Sequence, residues 1–193
     1  RWYDTSAHLL WIGERTRQPE GAHVAFLAGI TNPLGVKLGP AVTPDEVLQL
    51  ADRLNPDNIP GRLTLIVRHG ADRIAHTLPP LVERLRAEGR TVLWASDPMH
   101  ENTIKTPEGY KTRDFAAVLR EVRAFFAVHR DLGTVPGGLH LELTGEAVTE
   151  CLGGGENLTR ARLAENYRTA CDPRLNWKQA LELAFLAAGE LAG

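Results

Sequence analysis

Three side chains able to hold a divalent cation each follow or sit in a separate apolar run. His100 closes TVLWASDPMH, Glu142 sits within GLHLELT, and Asp172 lies in TACDPRLN. One imidazole and two carboxylates form a donor set suited to a divalent metal. Earlier in the chain, cationic groups end three other apolar runs: Arg15 beside Glu14 in WIGER, Lys37 in GVKLGP and Arg68 in IVRHG. A Lys or Arg buried in a strand costs several kcal/mol unless an anion compensates it. Arriving from successive strands, these three can clamp a phosphate and a carboxylate, with Arg supplying bidentate geometry. One half of such a rim would bind an anion and the other a cation, a layout for a phosphorylated carboxylic acid held beside a Lewis acid.

Other residues read more plainly. His140 lies two positions before Glu142 and shares its facing along an extended segment, which suits a structural, neutral role or support for a ligand. Gly153-Gly154-Gly155 lacks both the P-loop Lys-Ser/Thr and the Rossmann spacing, so it reads as a turn. Cys151 and Cys171 read as small buried hydrophobes rather than ligands. Trp94, Phe115 and Phe125 read as core.

Positioning such groups requires strands whose ends converge. Short runs rich in Val, Ile and Leu, without clear alternation, predict strands buried on both faces at His8–Ile12, Leu34–Leu38, Leu63–Val67, Val92–Ala95 and Leu139–Leu143. Amphipathic segments separate them. Thr43-Pro44-Asp45-Glu46 opens one helix with a capping pattern, and Asn55-Pro56 breaks it. Pro79–Glu88, closed by Gly89, is a second. Asp114–His129 is a third, with apolar residues at helical spacing. Asn176–Leu191 is a fourth, with Asn176 as N-cap and Leu181, Ala184, Phe185 and Ala188 on one face. Weaker helices fall at Gly21–Gly29 and Thr159–Asn166. Alternation of strand and helix implies parallel strands with right-handed crossovers.

The 193 residues are read as a single α/β domain. A composition 43% hydrophobic and 24% charged suits a soluble globular protein. A net charge of −2 gives no nucleic-acid signal, and no apolar run approaches the roughly 20 residues that span a bilayer. With no signal-peptide pattern and two cysteines in no disulfide framework, a cytoplasmic location is expected. Met99 is the only methionine and the chain begins at Arg1, so a processed product, a fragment or a sequence lacking its N-terminal part is expected. Five strands fall short of the eight that close a parallel barrel. The expected fold is therefore a partial (β/α)8 TIM barrel comprising about the last five βα units, with about three N-terminal strands missing, or else an open α/β sheet.

In this order, WIGERTRQPEGAH, NPLGVKLGP, GRLTLIVRHGAD, DPMHENT, GYKTR, GGLHLELTGEAVTECLGG and ACDPRLN resemble type II 3-deoxy-D-arabino-heptulosonate 7-phosphate (DAHP) synthase over almost the whole chain. The resemblance implies a (β/α)8 barrel that uses Mn²⁺ or Co²⁺ to condense phosphoenolpyruvate with erythrose 4-phosphate at the first step of the shikimate pathway. It makes His100, Glu142 and Asp172 three of four metal ligands. It makes Glu14, Arg15, Lys37 and Arg68 the phosphoenolpyruvate site, with Lys37 and Glu14 as the catalytic pair, and Lys111 a contact to the sugar phosphate. The family's fourth ligand, a Cys on the first barrel strand, and its Lys-Pro-Arg-Ser segment on the second have no counterpart here. Residue 101 is Glu where the family pattern has Gly. The resemblance therefore leaves two alternatives beside the enzyme: a pathway-specific relative making the amino analogue, or an incomplete remnant that binds metal or anion. As partners it implies the two substrates, together with a homo-oligomer or completion by the missing strands; neither nucleic acid nor membrane is expected.

Overall fold

A computed structural model describes residues 1–192. Five parallel strands form its main sheet: β1 (Leu10–Ile12), β2 (Leu34–Leu38), β3 (Leu63–Val67), β4 (Leu93–Ser96) and, beyond a hairpin, β7 (Gly138–Leu139). They lie side by side in that order. Strands β5 (Thr103–Lys105) and β6 (Lys111–Arg113) make a separate antiparallel hairpin. The helices are α1 (Ala22–Ala28), α2 (Pro44–Leu54), α3 (Ile74–Ala87), α4 (Phe115–Asp131) and α5 (Trp177–Ala192).

Each helix packs on the next in sequence, from α1 through α5. Every crossover therefore lies on one face of the sheet, the winding of a barrel rather than of a doubly wound sheet. Along β2, Leu34, Val36 and Leu38 enter the core beneath the helices, while Gly35 and Lys37 face the other side. There Gly35 admits close approach: a Cβ on it would lie 3.0 Å from Trp11 Cβ and 3.1 Å from Ile66 Cδ1. Trp11 and Leu93 are half exposed.

The strand ladder continues past the strand ends. Arg68 N–H donates to the Leu38 carbonyl, Asp97 to Val67, His140 to Ser96, and Leu175 to Glu142, at 2.7–3.0 Å. This stitching sets the residues after each strand on a common rim. A parallel bridge between Leu143 and Leu175 adds a sixth strand position next to β7. The main sheet has the five strands that the sequence predicts; the lone bridged residue carries no periodicity.

Several expectations shift. The run read as Leu139–Leu143 pairs with β4 only at Gly138 and Leu139; its far end pairs on the other side, where Leu143 bridges Leu175. Helix α3 starts at Ile74, so Pro79 and Pro80 lie inside it rather than opening it. Burial of Ile74 and Leu78 against the core offsets the two backbone hydrogen bonds that the prolines forgo. The segment at Arg160–Glu165 is a 3₁₀ helix.

Capping follows the sequence. Thr43 accepts from Glu46 N–H while Glu46 accepts from Thr43 N–H. Asp114 caps α4, and Asn176 Oδ1 accepts from Gln179 N–H at 2.9 Å. Gly89 closes α3 at φ +64°, a conformation glycine adopts without a Cβ clash. On α5 the apolar face of Leu181, Ala184, Phe185 and Ala188 is the outer one: Phe185 is 77% exposed, whereas Leu183 and Ala187 are buried. The glycine run forms a turn with Gly153 and Gly154 at positive φ. No helix among the described residues is long and apolar enough to cross a membrane.

Candidate metal and anion site

His100, Glu142 and Asp172 converge as the sequence predicts. One donor atom from each lies within 4.8 Å of the others. His100 begins a 3₁₀ turn after β4, Glu142 leaves β7, and Asp172 precedes the Leu175 bridge. Their environment explains how each is aimed.

Asp97, fully buried, organises the centre. Its Oδ1 accepts from the backbone N–H groups of Met99 and His100, shaping the turn. Its Oδ2 lies 2.7 Å from His100 Nδ1 and 2.7 Å from Lys37 Nζ. Burial alone would push this carboxyl up, but the His100 hydrogen bond and the Lys37 charge outweigh it and hold Asp97 well below the usual carboxylate range. An Asp97 that accepts the proton on Nδ1 leaves Nε2 as the free imidazole lone pair, and Nε2 faces Glu142 Oε1 at 3.4 Å. One nitrogen and two carboxylate oxygens on a shared rim, with the histidine oriented by a buried carboxylate, form a donor set that fits a divalent cation.

Fully buried Arg113 sets Glu142: its Nη1 donates to Glu142 Oε2 at 2.6 Å and to the Pro173 carbonyl, and its Nε to Thr103 Oγ1. Lys111, two residues earlier on β6, pairs with Asp172 Oδ1 at 3.2 Å. Burial raises the Asp172 carboxyl, yet its bonds with Lys111 and Cys171 hold it below the ordinary value. Lys111 thus stands beside the candidate metal ligands. Glu150, also fully buried, grips the following loop. Arg174 donates side-on to both its oxygens, and the backbone N–H groups of Arg168 and Arg174 donate as well. Arg174→Ala should lower unfolding free energy by about 2 kcal/mol by stranding that carboxylate, which a denaturant titration would reveal; an unchanged midpoint would show that Glu150 does not depend on Arg174.

The cationic residues are already partly engaged. Lys37 is buried, but Asp97 rather than an external anion compensates it. Arg68 pairs with Glu101 at 2.7 Å. Arg15 is exposed and makes no ion pair among the described residues. Glu14 accepts from Arg17 and from Gly39 N–H, and Gly39 is needed there because a Cβ would lie 2.8 Å from the Glu14 carboxyl carbon. His140 sits edge-on to Trp11 at 5.2 Å, and burial lowers its pKa, so it stays neutral as read. Cys151 is buried, its thiol pushed up to about 12 by burial. Cys171 is exposed, contrary to expectation: it lies in the open Asp172 loop, 3.5 Å from Asp172 Oδ2.

Behind the rim, Glu121 of α4 ties two loops together. It accepts from the backbone N–H groups of His69 and Gly70 and from Asn102 Nδ2. Burial lifts its carboxyl from 4.5 to about 7 despite these bonds. The folded state therefore binds this proton more tightly than the unfolded chain. Its contribution is fully present below pH 4.5 and is lost as pH rises through about 7, a loss of about 3 kcal/mol. Unfolding curves across that window should show the decline and Glu121→Gln should flatten it; parallel profiles would refute the assignment.

Sequence reasoning does not single out Asp97, Arg113 or Glu121; for Glu101 it leaves a ligand, a hydrogen bond or repulsion of an anion open, and the structure shows bonds to Arg68 and Arg73. For Asp97 a signal existed: an Asp three residues before a candidate ligand histidine is spaced to cap the turn that carries it.

A parallel, singly wound α/β arc whose strand ends carry a candidate metal triad next to buried cations defines a class: part of a parallel α/β barrel with a candidate metal-and-anion rim. Comparison with known proteins narrows it. The chain belongs to the Class-II DAHP synthetase family, whose model matches residues 1–188. It is 57% identical over 186 residues to the phospho-2-dehydro-3-deoxyheptonate aldolase AroG of Mycolicibacterium smegmatis, covering 96% of this chain and 40% of that protein. It is equally similar, 57% over 186 residues, to the phospho-2-dehydro-3-deoxyheptonate aldolase of Streptomyces coelicolor, covering 96% of this chain and 41% of the relative. The chain thus spans about two fifths of the length of these relatives. A solved phospho-2-dehydro-3-deoxyheptonate aldolase from Francisella tularensis shares the fold with a TM-score of 0.59 at 12% identity, covering 96% of this chain and 55% of that one.

Proposed function

We propose that this chain supplies the metal-binding and much of the phosphoenolpyruvate-binding rim of a DAHP synthase, which condenses phosphoenolpyruvate with erythrose 4-phosphate to give DAHP and phosphate. The observation that carries the reading is Asp97, one oxygen of which bonds both Lys37 and His100. That single atom joins a cationic half to a metal-ligand half, the juxtaposition that a phosphorylated acid and an aldehyde require.

On this reading His100 Nε2, Glu142 and Asp172 hold Mn²⁺ or Co²⁺, which when bound polarises the aldehyde oxygen of the sugar phosphate. Arg15, Lys37 and Arg68 hold the phosphate and carboxylate of phosphoenolpyruvate and fix its enol face. Lys111 reaches the erythrose phosphate. C3 of the enol attacks the aldehyde carbon, water adds at C2, and phosphate leaves by C–O cleavage. Glu14, which accepts from Gly39 N–H, is one candidate to handle the water's proton; a water held at the metal site is the other. The fourth metal donor and the remaining sugar-phosphate contacts come from strands outside this chain, either other barrel units or a partner copy. A cytoplasmic setting fits such biosynthetic chemistry.

The test is an assay of Mn²⁺-dependent phosphoenolpyruvate consumption and phosphate release, run on this chain together with the N-terminal half of the M. smegmatis relative. Turnover that needs both pieces supports the reading. No turnover from a folded, metal-loaded mixture would overturn it.

A further inference from the structure

Arg68 carries an internal anion. Glu101, on the turn after β4, places Oε1 2.7 Å from Arg68 Nη2 and Oε2 2.6 Å from Arg73 Nη2. It thereby divides its two oxygens between two guanidinium groups instead of gripping either side-on. Arg68 pays for this arrangement: its Nε is buried and has no hydrogen-bond partner among the described residues. Nε and Nη2 form the edge to which a carboxylate or phosphate binds with two parallel bonds. One position of that edge is blocked by Glu101 and the other is left empty. Arg73 is half exposed and keeps a separate bond from its Nε to the His69 carbonyl, so it can retain Glu101 when Arg68 lets go. Gly70, at φ +84°, lies 3.4 Å from Glu101 Cβ through its own ideal Cβ position, which leaves the side chain room at its base.

We propose that Glu101 is a built-in competitor for the Arg68 anion site: an incoming phosphate or carboxylate displaces it onto Arg73 and satisfies the orphaned Nε. The proposal rests on the reading of Arg68 as a substrate-anion contact. It makes residue 101 a specificity-determining position, since the incoming group must outcompete a carboxylate tethered beside it. A dianionic phosphate meets that demand better than a monoanion does, so the site selects for charge.

Calorimetric titration of the 193-residue protein with inorganic phosphate decides the matter. Glu101→Gly should bind phosphate about tenfold more tightly than the unsubstituted protein, the scale of one charge-assisted hydrogen bond regained. Glu101→Gln, which keeps the shape and removes the charge, should also tighten binding and stands in if the glycine variant does not fold by circular dichroism. Adding Arg68→Ala should erase the gain. If both Glu101 variants bind as the unsubstituted protein does while Arg68→Ala weakens binding, the competitor is disproved and the Arg68 reading survives. If Arg68→Ala leaves phosphate affinity unchanged in the Glu101→Gly background, the Arg68 reading fails and takes the competitor with it.

Discussion

Replacing His100 with alanine is expected to weaken Mn²⁺ binding by more than about a hundredfold, beyond what loss of a merely supporting partner costs a metal site. His100 is the only nitrogen donor in the triad. Without it, Glu142 and Asp172 remain tied to Arg113 and Lys111, and those cations neutralise the carboxylates that would have to hold the ion. The side chain is a quarter exposed, so its truncation leaves no large cavity and the fold should persist. Titration followed by electron paramagnetic resonance of free Mn²⁺ measures the loss directly. An affinity equal to that of the unsubstituted protein would strike His100 from the ligand set.

The second large effect concerns Asp97. Truncation to alanine removes the only carboxylate among the described residues that bonds Lys37 and leaves an ammonium buried without compensation. Breaking a buried pair in this way costs about 3–5 kcal/mol, or about 10 °C in melting temperature for a chain of this size. The same change frees His100 to rotate, so metal affinity should fall as well. Adding Lys37→Met removes the stranded charge while keeping an apolar stem, so the double variant should recover much of the lost stability but none of the metal affinity. Thermal melts and metal titrations of the two variants separate the contributions. A single variant within about 1 kcal/mol of the unsubstituted protein would mean that Lys37 finds another partner, and a double variant no more stable than the single would deny the coupling.

Much of this arrangement was legible in the residues. β2 and β3 fall where the runs at Leu34–Leu38 and Leu63–Val67 put them, because strands covered on both sides leave an unbroken apolar signature. The capping box of α2 and the closing glycine of α3 follow from local chemistry alone. The clustering of His100, Glu142 and Asp172 was legible because each follows or sits in an apolar run whose end the topology must bring to the rim. What stayed hidden depended on partners distant in sequence. Lys37 in an apolar run announces a missing anion, but nothing local says that the anion is Asp97, 60 positions later. Arg113 looks like one more basic residue until its burial against Glu142 and Pro173 is seen. The outward turn of Phe185 on α5 escaped for a related reason: the helix has apolar residues on two sides, and periodicity does not say which side meets α4.

The two margins of the main sheet carry one more consequence. At one end lies β1, three residues long, and at the other a single bridged residue, Leu175. Margins so brief offer a stranger's backbone very few hydrogen bonds, which is how natural sheets discourage indiscriminate strand addition. Trp11 and Leu93 on the open face and Phe185 on the last helix, all exposed, offer apolar surface where these margins offer little backbone.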